Sequence, residues 1–123
     1  MDVTQALPLL GGLTPQLFMR RHWHKKPLLI RQAIPDFVAP VDRTGLLALA
    51  AQEDVESRLV IQDDRGWQLR HGPFPRRALP PLKQPRWTVL VQGVDLHDEA
   101  AHALMTRFRF VPDARLDDLM ISY

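Results

Sequence analysis

Apolar and polar positions follow two different periods along this chain, and the switches between them divide it into elements. Leu13-Thr14-Pro15-Gln16-Leu17-Phe18 reads as a helix start. Thr14 can cap, Pro15 suits the first helical position, and Leu13 can staple onto Phe18. The predicted helix runs to about Trp23 or His24, and Pro27 stops it. PLLIR, residues 27–31, reads as a short strand, and Pro35 and Pro40 bound a loop. After Asp42 or Thr44 as cap, Leu46, Leu47, Leu49 and Ala50 form one helical face. SRLVIQ and WQLRH then form a hairpin pattern around Asp63-Asp64-Arg65-Gly66, with the glycine where a positive φ is needed. A proline-rich loop, 72–85, leads to RWTVLVQGV at 86–94, the strongest strand pattern in the chain. Residues 98–108 predict a helix, with Asp98 and Glu99 at its positive end and Arg107 near its negative end. Pro112 breaks it, and a last strand is predicted from near Leu116 or Asp118.

The sum is an α+β chain in a single domain, residues 1–123, with helices flanking a mostly antiparallel sheet of about five strands. Met120, Ile121 and Tyr123 look like the front half of a buried strand. That strand has no later partner in sequence, so it must pair backwards or with further chain. An unpaired apolar edge is a hazard, and the domain is therefore expected to be incomplete.

Composition narrows the class. A chain of 123 residues that is 46% hydrophobic can bury one small core. No apolar run approaches the ~18 residues that cross a bilayer. Met1-Asp2-Val3-Thr4 lacks the basic region of a secretory signal. Cysteine is absent, which excludes a disulfide framework and a thiolate metal site. These features predict a cytoplasmic protein with no membrane partner. Sixteen basic against 14 acidic residues leave a net charge of +2, too balanced to mark a nucleic-acid binder despite a pI of 9.5.

Candidate chemistry is sparse. His97-Asp98-Glu99 and His102 hold the residue types of a two-histidine, one-carboxylate iron site. Their spacing argues against one: three ligands so close in sequence leave no enclosed pocket, and a helix start with surface histidines accounts for them. His22-Trp23-His24, between Arg20-Arg21 and Lys25-Lys26, is the most basic segment. It can be a phosphate-contacting patch with a stacking tryptophan. A solvated helix end with Trp23 in the core is the simpler reading, and direct nucleic-acid binding is not expected. No nucleophile elbow, P-loop or dinucleotide fingerprint occurs, and Ser57 and Ser122 have no base nearby in sequence. The residues hold no complete active site.

Asp117-Asp118 remains. On a strand Asp118 would share a face with Met120, Asp117 taking the other. A carboxylate beside a flexible thioether suits a long cation: the acid takes the guanidinium and the methionine packs the stem. The alternative is an aspartate that caps a turn.

RHWHKKP (21–27), SRLV (57–60), WQLRHGPF (67–74), WTVLVQGV (87–94), ALM (103–105) and DDLMISY (117–123) together resemble the bacterial JmjC-type cupin ribosomal oxygenases. The likeness runs in order from about Leu13 to Tyr123; HGPF followed by DDLMIS is its most specific part, and residues 75–85 do not align. It implies the N-terminal part of a double-stranded β-helix domain with the barrel incomplete. It also implies an Fe(II)- and 2-oxoglutarate-dependent enzyme that hydroxylates an arginine of a large-subunit ribosomal protein. In that family this last strand leads into a glycine-rich turn and the H-x-D that opens the iron triad. Neither Fe(II) nor 2-oxoglutarate is then expected to bind this chain alone, and His97 and Glu99 do not replace the triad. The resemblance carries only substrate-side residues: Asp118 to orient the guanidinium, Met120 to line the cleft, and Asp117 as second choice. The expected partner is a ribosomal protein, with an edge-paired or domain-swapped homodimer as the rescue of an unpaired sheet. The competing expectation is a non-catalytic module that binds ribosomal protein or RNA.

Overall fold

The computed structural model describes all 123 residues. Three short helices accompany one four-stranded antiparallel sheet. The first helix, α1, spans Pro15–Arg21, and Thr14 accepts the Leu17 N–H as predicted. It stops before Trp23 because residues 22–25 turn away, with His24 at a φ of 55°. The second helix, α2, spans Arg43–Ala50 and is capped by Asp42, whose carboxylate accepts from Gly45. Of the two candidate caps, Asp42 is therefore the one used.

Strands β1, Ser57–Asp63, and β2, Gly66–His71, form the predicted hairpin, and Gly66 sits at a φ of 107°. Strand β3, Trp87–Val91, pairs with the other edge of β1, and β4, Ile121–Ser122, pairs with β3. The sheet order is β2-β1-β3-β4, and the sheet does not close. The final strand pairs backwards, one of the two outcomes its sequence allowed. The third helix, α3, spans Glu99–Thr106 with Asp98 as cap.

Two expectations need correction. Residues 27–31 form no strand: Leu29 is exposed, and only four strands exist in place of about five. PLLIR has no paired neighbour: Leu28 and Ile30 are half-buried and Leu29 is exposed, but no strand lies alongside to take its backbone hydrogen bonds. Likewise β4 begins at Ile121, later than predicted, because Pro112 and the turn at Asp113–Arg115 delay the chain's return to β3.

The helices cover one face of the sheet. Leu46 and Ala50 from α2, Leu59 from β1, Val89 and Val91 from β3, Val94, and Ala101 from α3 form the core, with Val55, Phe74 and Leu79 from the connections. Gly72 makes this packing possible. Its amide donates to the Ser57 carbonyl at 2.9 Å, and a Cβ there would fall 2.0 Å from the Ser57 hydroxyl. The register places Arg58, Val60 and Gln62 on the opposite face, beside His71, Leu69 and Trp67 of β2 and Leu90 and Thr88 of β3. No helix covers that face, and Trp67 is 73% exposed.

Trp23 lies outside the main core. It packs at the edge of Phe18, which meets Phe110 edge-on at 5.6 Å, and its indole stacks on exposed His24 at 4.8 Å. No helix is long and apolar enough to cross a membrane.

An acidic cleft at the end of the sheet

Where β3 ends, Gly93 adopts a φ of 62°, a left-handed conformation that glycine takes without a side-chain clash. The turn this creates is tied to the segment before β4 by a three-part clasp. The Asp118 carboxylate accepts the Gly93 N–H at 2.7 Å, Val94 donates to the Leu119 carbonyl at 3.0 Å, and Leu119 donates to the Asp95 carboxylate at 2.9 Å. Two aspartates thus fasten backbone groups that the two-residue β4 leaves without ladder partners.

Beside the clasp lies a cleft of ≈ 480 Å³. Four acids, Asp54, Glu56, Asp117 and Asp118, line it, and Gln92, Gly93, Leu96 and His97 complete the lining. Asp54 and Glu56 come from the segment leading into β1, and Gln92 continues β3, so the cleft sits across the ends of two adjacent strands. None of these carboxylates makes an ion pair within the chain, whose one ion pair joins Arg109 to Asp113 at 3.8 Å. Four unpaired acids on one concavity attract a cation and repel anions.

The predicted site residues separate here. Asp117 and Asp118 open onto the same cleft, Asp117 exposed and Asp118 half-buried. One oxygen of Asp118 is already bound to Gly93, which leaves the other to face a ligand. Met120 is not part of the cleft lining; it lies on the open sheet face, 47% exposed, with its sulfur 3.9 Å from Arg58 Nη2. Residues 118–120 precede β4, so the ladder does not itself fix the shared face that the strand argument gave Asp118 and Met120. Asp54 and Glu56 were not picked out from sequence. Their signal was weak: an acid pair two residues apart, pointing nowhere until β1 and β3 are aligned.

His97, Glu99 and His102 share a surface hollow of ≈ 310 Å³ with Asp95, Leu96 and Asp98. No group of three histidine, aspartate or glutamate residues in the chain has the arrangement to hold a metal ion. The residues present therefore do not fit an iron triad.

Two bacterial proteins share clear similarity with the chain. It is 42% identical over 106 residues to the ribosomal protein uL16 3-hydroxylase of Escherichia coli, and 35% identical over 112 residues to a probable ribosomal oxygenase of Haemophilus influenzae. These matches take in 86% and 90% of this chain but 28% of each relative. The fold agrees: the structure of YcfD, a ribosomal oxygenase from Escherichia coli, superposes with a TM-score of 0.80 at 41% identity over 89% of this chain.

The chain is homologous to a segment of the ribosomal oxygenases.

A second YcfD structure, in complex with cobalt and 2-oxoglutarate, superposes with a TM-score of 0.79 over 87% of this chain and 29% of that one. The fold is thus part of a JmjC-type cupin domain, α+β with an unclosed antiparallel sheet. No protein-family model matches the chain.

Proposed function

We propose that this chain is the N-terminal, substrate-gripping segment of a 2-oxoglutarate- and Fe(II)-dependent oxygenase that hydroxylates an arginine of a large-subunit ribosomal protein. The observation that carries the reading is the acidic cleft, which Asp117 and Asp118 line together with Asp54 and Glu56 at the end of an unclosed sheet. Identity of 42% to a uL16 3-hydroxylase supports the reaction class. The iron ligands are assigned to sequence outside these residues, and the enzyme works in the cytoplasm, where ribosomal proteins are met.

In this reading the chain's work is recognition and orientation. A guanidinium entering the cleft meets the free oxygen of Asp118 and both oxygens of Asp117, and planar N–H groups pair with carboxylates in charge-assisted bonds. Asp54 and Glu56 add attraction across the cleft; each exposed pair contributes at most about 1 kcal/mol, so they steer more than they hold. The clasp through Gly93 fixes the Asp118 carboxylate before the ligand arrives, which limits the ordering cost of binding. Met120 sits two residues beyond Asp118 on the sheet face, where a flexible thioether can follow the methylenes of a bound arginine. Fe(II) and 2-oxoglutarate would supply oxygen activation in the whole enzyme.

The test is made in the host. The gene encoding this chain is deleted, and intact-mass and peptide mass spectrometry is run on the large-subunit proteins. Loss of one oxygen atom from a single arginine supports the reading. An unchanged set of ribosomal-protein masses contradicts it.

A further inference from the structure

Arg58 is the one charged residue of β1 on the open sheet face, and it has no counterpart. Its neighbours across the sheet are His71 and Leu90, and no carboxylate lies within 4.0 Å of it. Its Nε is buried and donates to nothing. Nη2 meets Met120 Sδ at 3.9 Å, a weak acceptor. A guanidinium presents Nε–H and one Nη–H side by side, at the spacing of two carboxylate oxygens. Here the Nε end of that edge is shielded from water, and the edge holds no oxygen. Buried polar groups in folded proteins are nearly always partnered, so the edge marks a place where an acceptor belongs.

The cleft tells which acceptor. Glu56 lines the cleft and lies two positions before Arg58, about 7 Å along the strand path. Met120 contacts Arg58 and is two positions from Asp118, which also lines the cleft. A negative pole and a positive pole therefore adjoin on one surface. An extended polypeptide spaces residues i and i+2 on one side by about the same 7 Å. A ligand with an arginine and an acid at that spacing matches both poles.

We infer that Arg58 binds a carboxylate of the polypeptide whose arginine enters the acidic cleft. Arg58 is thus a specificity-determining residue, and Met120 is the side chain displaced when the carboxylate arrives. The inference rests on the arginine-binding reading of the cleft. It explains why a cation stands beside a site for cations: it rejects a second basic group there and selects an acidic one.

The experiment follows the Arg58 Nε–H resonance by ¹⁵N NMR in this chain, at low salt. The probes are the blocked peptides Ac-Gly-Arg-Gly-NH₂, Ac-Asp-Gly-Arg-Gly-NH₂ and Ac-Arg-Gly-Asp-NH₂. At least one aspartate-bearing peptide binds about fivefold tighter than the neutral one, the upper range for an open ion pair, and shifts Nε–H. Arg58→Met removes that advantage, so that the aspartate-bearing peptides bind no tighter than Ac-Gly-Arg-Gly-NH₂. Arg58→Lys, which keeps the charge without the paired edge, retains only part of it. Equal affinities for the three peptides overturn the inference, as does an Nε–H resonance that moves only on Glu56→Gln. If no peptide binds, the cleft reading fails, and an acetate titration decides Arg58 separately: a shift of Nε–H upholds anion binding there, and none overturns it.

Discussion

The two faces of this sheet are written by the same strands and do opposite things. One face carries Leu59, Val89 and Val91, all buried beneath α2 and α3. The other carries Trp67, Leu69, Arg58 and Leu90 and lies open, with Leu69 57% exposed. On the first face shape decides, because close-packed side chains leave no room for change. On the second, charge and exposure decide, and the acidic cleft lies at the end where both faces run out. Core residues and the Arg58 guanidinium thus occupy alternate positions of one strand, β1.

That division is open to attack from either side. The largest effect is expected at the covered face: Leu59→Ala removes a fully buried side chain and costs about 2–5 kcal/mol, read as a drop in the urea midpoint. Gly72→Ala comes next at about 1–3 kcal/mol, since its Cβ has to displace the Ser57 hydroxyl from a buried position. Asp118→Ala leaves the Gly93 N–H without its carboxylate and costs about 1–2 kcal/mol, whereas Asp118→Asn keeps an acceptor and recovers most of it. Chemical denaturation of the pair separates the clasp from the charge. The open face gives the smallest change: Leu69→Thr stays within about 0.5 kcal/mol of the parent. A loss at Leu69 as large as that at Leu59 would mean that both faces are covered.

Much of the fold could be read directly from the chain. Thr14, Asp42 and Asp98 are the caps their types announce, and each accepts an amide of its own helix. The hairpin around Gly66 and the strand at Trp87–Val91 follow from local alternation and turn chemistry. PLLIR misled because apolar content alone does not supply a pairing partner, and none reaches residues 27–31. The site was only half legible. Asp117 and Asp118 stand out as an adjacent pair, but Asp54 and Glu56 join them only through the β1–β3 register, over 60 residues away in sequence. Met120, paired with Asp118 by strand parity, stays outside the cleft lining and contacts Arg58.

The central claim is that the acidic cleft recognises arginine by its charge and planar N–H groups. The most direct measurement titrates this chain with Ac-Gly-Arg-Gly-NH₂ and with the same peptide carrying citrulline, which keeps the shape and loses the charge. Amide resonances of Gly93, Asp117 and Asp118 report the binding, with Asp117→Asn and Asp118→Asn as controls. The account predicts saturable shifts for arginine alone, weakened in both variants. Equal shifts with citrulline, or arginine binding untouched by both substitutions, would contradict it.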